Sequence, residues 1–218
     1  MIKYFQIYGE RCSGTNFLEC AIKENFDLEE TTDYGWKHFF GFHDFKQTEH
    51  ENETLFIGIV RNPITWIDSL YKAKHHIPEQ NLNNIRVFMF NQFYSLYPDG
   101  TEIMEDRNII TKERYGNLFG MRRTKNEYLM NTMKTTVKNY ILIRYEDLRD
   151  NYETVLNFLN NKFDLKRKNK NEYSKILIYK GKMNKVFQKK PILLKPNIIE
   201  LIKKNIDIEQ EKLLGYNI

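Results

Sequence analysis

The chain has 218 residues, with 34 Lys and Arg against 29 Asp and Glu, so its net charge is +5. Hydrophobic residues make up 41% of it, which excludes a wholly disordered chain, and the length suits one domain, residues 1–218. No uncharged apolar run reaches the ~18 residues of a membrane span, and the N-terminal MIKYFQIYGERC lacks the apolar region of a signal peptide. Two cysteines, Cys12 and Cys20, exclude a disulfide scaffold and a four-thiolate zinc site. We therefore expect a soluble, cytoplasmic, single-domain protein with no membrane partner, and the charge is too small to indicate nucleic acid.

The predicted elements alternate between strands and helices along the chain. Short runs rich in apolar, β-branched and aromatic residues predict buried strands over 2–8, 54–60 and 138–144. Helical spacing of apolar residues predicts helices over 15–25, 63–73, 84–96, 112–133, 151–161, 197–205 and 207–214. Strands that alternate with helices favour an α/β fold with a parallel sheet.

The first candidate site is the loop between the first strand and the first helix. Gly9 and Gly14 in GERCSGTN keep the G-x-x-x-x-G spacing of a phosphate-binding loop, which turns backbone N–H groups toward phosphate oxygens. A nucleotide kinase would continue with Lys and Ser or Thr, whereas Thr15 and Asn16 follow here. The phosphate cradle is therefore present without the residues that hold a triphosphate and Mg²⁺. The alternative is an ordinary strand–turn–helix connection.

Cys12 suggests a second interpretation of this loop, in which the Cys12 thiolate is a nucleophile as in tyrosine phosphatases. Such a loop needs an Arg that closes it downstream, and CSGTNFLE contains none. The sequence therefore disfavours catalysis by Cys12.

The second candidate site follows the strand TLFIGIV. Arg61 stands at the carboxyl end of this strand, where α/β sheets bind ligands, and Ser69 lies about two helical turns later. A guanidinium fork and a hydroxyl suit one terminal phosphate. The alternative is a structural Arg that caps the sheet edge.

Positive charge is concentrated in residues 161–195. They hold 12 Lys and Arg and 2 Asp and Glu, a local excess of +10, so the remaining chain carries −5. Such a block is either a solvated surface or part of an anion site.

In this order, the segments SGTN, VRNPITWIDSLY and RYEDL resemble those of the cytosolic-type and bacterial sulfotransferases, and the ending EKLLGYNI is similar to the tail of many bacterial members. The resemblance covers most of the chain. It implies the three-layer, P-loop-like fold of that family, with a parallel sheet between helices. It also implies transfer of a sulfuryl group from 3′-phosphoadenosine-5′-phosphosulfate (PAPS) to an acceptor hydroxyl or amine, without a metal.

The resemblance also implies the nucleotide-binding residues. The loop would hold the 5′-phosphosulfate, Arg61 and Ser69 the 3′-phosphate, and Tyr145 of RYEDL would lie near the adenine. A late segment of the family that also touches the 3′-phosphate is matched imperfectly by YKGK. The loop residues so assigned are Arg11, Cys12, Ser13, Gly14, Thr15, Asn16 and Phe17, and the YKGK residues are Lys180, Gly181 and Lys182. Phe17 is predicted either to stack on adenine or to belong to the core.

The candidate general base is His38. In the family, a His a few tens of residues past the loop, often in a Lys-x-His setting, takes the acceptor proton, and GWKHFF occupies the corresponding stretch. The alternatives are a hydrogen-bonded core histidine at this position and catalysis by His75 or His76 instead.

One departure from the family lies in the loop itself. Cys12 replaces the Lys or Arg that supports the leaving phosphate in relatives, so Arg11, one position earlier, is assigned the charge-stabilising role, with Lys37 as the other available cation. Arg11→Ala is expected to cut turnover strongly while Arg61 and Ser69 preserve much of the nucleotide binding.

The acceptor is predicted to be a small molecule or a glycan bound by parts of 30–50, 75–110 and 112–130. Arg122 and Arg123 are candidates for favouring an acidic acceptor. Three other functions stay open: a non-catalytic nucleotide- or glycan-binding module on the same scaffold, a nucleotide kinase, and nucleic-acid binding through the basic block. Cys12 supports the first of these, and the missing GK[ST] opposes the second.

Overall fold

The computed structural model describes residues 1–42, 45, 50–176 and 191–218. In these ranges the strands are β1 (Tyr4–Tyr8), β2 (Glu29–Glu30), β3 (Thr54–Val60) and β4 (Tyr140–Arg144). The helices are α1 (Thr15–Asn25), α2 (Pro63–Ala73), α3 (Ile85–Phe90), α4 (Leu118–Glu127), α5 (Met133–Thr136), α6 (Tyr145–Asp150), α7 (Tyr152–Phe163), α8 (Pro196–Asn205) and α9 (Ile208–Leu213). A π-helical turn, Tyr128–Thr132, joins α4 to α5.

The sheet is parallel and its strand order is β2-β1-β3-β4. In the register, Tyr8 lies beside Gly58, and Val60 lies beside Arg144. The chain therefore leaves β1, β3 and β4 at the same edge of the sheet, which is where parallel α/β sheets bind ligands.

Alternate residues of each strand point to opposite faces of the sheet. Both faces are buried, each by its own apolar cluster. Ile7, Ile57 and Ile141 pack with α1 and α7 on one face. Tyr8 and Phe56 pack on the other face with aromatic residues of 34–45 and with the π turn. A third apolar cluster lies between α2, α3, α4 and α8. The prediction of an α/β fold with a parallel sheet between helices is confirmed, and the arrangement is compatible with three layers.

Most predicted elements are present, with three differences. The predicted helix 84–96 ends at Phe90, and Phe93 then forms a bridge with Tyr115. The predicted helix 112–133 begins only at Leu118, because the Asn117 side chain caps it by accepting from the Gly120 N–H. The sequence also gave no sign of β2 or of α6.

None of the helices within the described ranges has the length and apolar composition needed to cross a membrane.

Candidate functional site

The loop after β1 is a tight turn closed by its own hydrogen bonds. The backbone N–H and the hydroxyl of Ser13 both donate to the Glu10 carbonyl, at 3.0 and 2.6 Å. Cys12 and Gly14 have positive φ values of 65° and 100°. A Cβ on Gly14 would lie 2.3 Å from a ring carbon of Tyr145, so this position needs glycine for both conformation and space.

The loop leads directly into α1, which begins at Thr15. Within the described chain no side chain caps this end of the helix, because Gly14 at the N-cap position has none. The first amides of α1 therefore keep hydrogen-bonding capacity, and the helix dipole adds positive potential there. The start of α1 is thus an uncapped helix N-terminus, which is the kind of position at which anions bind.

Arg61 lies beside this loop, although β1 and β3 are far apart in sequence. Its Nη1 donates to the Cys12 carbonyl at 2.9 Å, and its Nε donates to the Thr65 hydroxyl at 3.1 Å. Its guanidinium carbon is 4.8 Å from the ring centroid of Tyr145, in cation–π geometry. These two bonds use two of the five N–H groups of a guanidinium. In the described structure Arg61 is half-buried and thus retains donors for a ligand.

Helix α2 packs against the back of the loop. The Trp66 indole N–H donates to the Arg11 carbonyl at 2.9 Å, and the Cys12 thiol donates to the Ser69 carbonyl at 3.7 Å. The Ser69 residue itself is half-buried. The structure therefore brings the loop, Arg61 and Ser69 together.

His38 is bonded to the first residue of the loop. Its Nδ1 lies 2.7 Å from the Gly9 carbonyl oxygen, which only accepts, so Nδ1 carries the proton and Nε2 is the unprotonated nitrogen. The Gly9 N–H in turn donates to the Lys37 carbonyl at 2.9 Å. Burial lowers the pKa of His38 to about 3; the charges of Arg11, Lys37 and Lys125 act in the same direction, and the Gly9 bond opposes them. The imidazole is thus neutral near pH 7, with a lone pair on Nε2.

Lys37 reaches the start of α1 from the same segment. Its ammonium donates to the Asn16 amide oxygen and to the Glu19 carboxylate, both at 2.8 Å. Its side chain is 15% exposed, so it lies at the surface of the site.

Arg11 points in the opposite direction, into the protein. It is 3% exposed, and its guanidinium donates to Asp106 at 3.1 Å and to the His75 carbonyl at 2.9 Å. The charge-stabilising role that the sequence assigns to Arg11 stays a prediction, and it would require this guanidinium to leave a fully buried carboxylate.

Lys125 is the centre of the same buried network. Its ammonium donates to Glu10, to Asp106 at 2.5 Å and to the His38 carbonyl at 3.0 Å, which accounts for its three protons. Burial alone would lower the pKa of Lys125, but Asp106 and Glu10 outweigh it and raise the pKa. Burial alone would likewise raise the pKa of Asp106, and Lys125 and Arg11 lower it.

The network closes a ring. Gly9 binds the His38 side chain, Glu10 binds Lys125, and Lys125 binds the His38 carbonyl. Lys125 therefore fixes the candidate base to the loop, although it lies 115 residues from Glu10. Sequence reasoning missed Lys125 and Asp106, because no local motif marks either of them.

The remaining predicted residues lie in several places. Tyr145 is 6% exposed and covers Gly14, whereas Phe17 packs in the hydrophobic core, the second of its two predicted positions. His75 and His76 are exposed after α2, and the His76 ring lies 6.1 Å from that of Phe39.

Two further assignments are affected by the structure. Arg122 is buried and forms an ion pair with Glu211, so its suggested role toward an acidic acceptor stays a prediction. Lys180, Gly181 and Lys182, the proposed clamp on the 3′-phosphate, lie outside the described residues.

Among the side chains that the structure describes, no group of three or more His, Cys, Asp or Glu is placed to hold a metal ion. No family model matches the chain. No curated protein matches it either.

Proposed function

We propose that the protein is a sulfotransferase that uses PAPS and moves its sulfuryl group to a hydroxyl or amine of a small molecule or glycan. The observation that carries this proposal is the bond between His38 and the loop carbonyl of Gly9, beside the strand end that presents Arg61. This bond places a neutral imidazole beside the two candidate anion-binding groups, the loop and Arg61. When bound, PAPS supplies the sulfuryl group and a nucleotide phosphate as leaving group.

The loop and the N-terminus of α1 would bind the 5′-phosphosulfate through backbone amides. Arg61 and Ser69, which lie beside the loop, would bind the 3′-phosphate by a charged fork and a hydroxyl. The fit rests on the uncapped end of α1 in the described chain and on the unused donors of Arg61.

His38 would accept the acceptor proton at Nε2, since Nδ1–H is held by Gly9. Such a base contributes roughly 10²–10⁴-fold to the rate. Burial is the main cause of the low pKa of His38, but bound phosphates would oppose the smaller effect of the charges of Arg11, Lys37 and Lys125 and so raise this pKa. Binding would therefore make the base stronger.

Lys37 is the cation best placed to stabilise charge on the transferring group. Its partners, Asn16 and Glu19, are at the start of α1 and partly exposed, so a ligand can replace one of them. Arg11 would act mainly through the buried network that supports the loop.

One other function is favoured by a specific observation. Cys12 stands where relatives carry a cation, and the neighbouring Arg11 points inward. Both features fit a non-catalytic module that binds a nucleotide or a glycan on the same scaffold.

Ligand-induced stabilisation tests the proposal. We expect 3′-phosphoadenosine-5′-phosphate (PAP) to raise the melting temperature, since ligand at 100 times its Kd adds about 2.7 kcal/mol. ATP with Mg²⁺ and an oligonucleotide should have less effect. Arg61→Met should abolish most of the PAP effect. A stronger response to ATP with Mg²⁺ would indicate a kinase, and one to the oligonucleotide would indicate nucleic-acid binding.

Transfer of radiolabelled sulfuryl from PAPS to a panel of phenols, amines and glycans then tests catalysis. We expect His38→Gln and Lys37→Met to lower turnover while PAP binding is kept. Arg11→Met should act chiefly on stability. PAP binding without transfer to any acceptor would favour the non-catalytic module.

A further inference from the structure

The peptide group between Arg61 and Asn62 is held on both sides by side chains. Its carbonyl oxygen accepts from Nη2 of Arg122 at 2.9 Å, and its N–H donates to Oε1 of Glu146 at 3.1 Å. Both hydrogen-bonding groups of one peptide unit are thus fixed by side chains. This restricts ψ of Arg61 and φ of Asn62, and hence the direction in which the Arg61 side chain leaves the backbone.

Both of these side chains are held in turn by residues of 207–216. Arg122 forms a two-point ion pair with Glu211 of α9, at 2.5 and 2.8 Å. The Tyr216 hydroxyl donates to Oε2 of Glu146 at 3.0 Å. Arg122, Glu211 and Tyr216 are at most 5% exposed.

Apolar contacts alone anchor residues 207–216 to the sheet, since Leu214 and Tyr216 pack with Tyr8 and Phe56. The polar contacts are therefore not needed merely to hold α9 in place. Two independent polar chains nevertheless end on the same peptide unit, directly after the strand that presents Arg61. A charge-assisted, bidentate pair with little exposure fixes geometry well because neither partner has water as an alternative.

We propose that α9 and the turn after it position Arg61, through Arg122 and Glu146, so that its guanidinium meets the 3′-phosphate of the nucleotide. Glu211 and Tyr216 are positioning residues that touch no ligand. The inference rests on the proposed function, and it adds that 207–216 governs recognition of the 3′-phosphate in particular.

The test compares two nucleotides that differ only at this phosphate. PAP carries the 3′-phosphate and AMP does not, so their affinities separate the Arg61 site from the loop. We expect the double variant Arg122→Met, Glu211→Gln, which leaves no unpaired buried charge, to weaken PAP binding about tenfold or more. Tyr216→Phe, which removes one hydrogen bond, should weaken it about fivefold. The affinity for AMP should stay within about twofold of the wild-type value in both variants.

The matched control is the double variant Glu209→Gln, Lys212→Met. It removes an exposed ion pair of α9, so both affinities should be unchanged. Calorimetric titration gives the Kd values, and circular dichroism confirms folding. Should the Arg122 double variant fail to fold, Tyr216→Phe decides.

The outcomes separate this inference from the proposed function. Wild-type protein that prefers PAP to AMP, with variants that keep the same preference, overturns the inference alone. Equal loss of PAP and AMP binding also overturns it, because that result indicates general support of the fold. Wild-type protein that shows no preference for PAP overturns the proposed function and the inference together.

Discussion

His38 is half-buried and neutral in the folded protein, and this makes the free energy of unfolding depend on pH. Its pKa is about 3 in the folded protein, against an ordinary value of 6.5 that applies to the unfolded chain. Well above pH 6.5 His38 is neutral in both the folded and the unfolded state, so its low pKa takes nothing from the free energy of unfolding. As the pH falls from 6.5 toward 3, the unfolded chain binds a proton that the folded protein does not bind, so stability is lost. At pH 5 the loss from this residue is about 2 kcal/mol relative to pH 8.

His38→Gln isolates this contribution. The glutamine amide can still donate to the Gly9 carbonyl, but it does not titrate. We expect wild-type protein to lose about 2 kcal/mol more than the variant between pH 8 and pH 5. Urea denaturation at pH 8, 7, 6 and 5 measures the difference, because all other titrating groups are shared.

His50→Gln is the control, since it removes an imidazole whose side chain is 47% exposed. This variant shows whether removal of an imidazole as such changes the pH profile. Parallel profiles of wild-type protein and His38→Gln would refute the argument, because they would show that His38 takes up its proton equally in the folded and unfolded states.

Two further predictions concern the support of the loop. Lys125→Met should destabilise the protein by about 3–5 kcal/mol, because it leaves two carboxylates in the interior with one cation between them; a loss below about 1 kcal/mol in urea denaturation would contradict the role given to this network. Gly14→Ala should be more destabilising than Gly100→Ala by about 1–3 kcal/mol, the range for overpacking. Both glycines have positive φ, but a Cβ at Gly14 meets Tyr145 whereas one at Gly100 meets nothing within 4 Å. Equal losses in thermal unfolding would show that Tyr145 moves aside freely.

The sequence predicts best those elements whose signals are local. The bounds of α1 and β3 were predicted to the residue, because Gly14 precedes the helix and TLFIGIV is buried along its whole length. Helix α2 also begins where Pro63 predicts, with the Asn62 side chain accepting from the amides of Ile64 and Thr65.

Elements that depend on distant partners could not be predicted in this way. Strand β2 consists of Glu29 and Glu30, which have no strand propensity and pair with β1 through the backbone alone. The predicted helix 84–96 fails beyond Phe90 because Phe93 pairs with Tyr115. In each case a hydrogen-bond partner outside the local sequence decides the conformation.

The residues of the candidate site likewise divide into those with a local sequence signal and those placed by distant partners. Glycine spacing and strand ends located the loop and Arg61, since the carboxyl ends of neighbouring parallel strands must meet. The contacts of Lys125 with Glu10 and Asp106 join residues that are 115 and 19 positions apart, and no pattern encodes them. The sequence thus identifies the groups that would touch a ligand better than those that hold them.

Arg11 and Lys37 show why this distinction affects the chemistry. Sequence position alone favours Arg11 as the cation, because it is adjacent to Cys12, which stands where the sulfotransferases that the sequence resembles carry Lys or Arg. For Arg11 to reach a ligand, however, Asp106 would lose one of its two cations in a fully buried position, and breaking a buried pair costs about 3–5 kcal/mol. Lys37 would instead give up a pair with Glu19 whose side chains are 15% and 21% exposed, which costs less than breaking a fully buried pair. This comparison favours Lys37 over Arg11 as the group that would meet the transferring charge, and it leaves Arg11 as a counter-ion within the buried network.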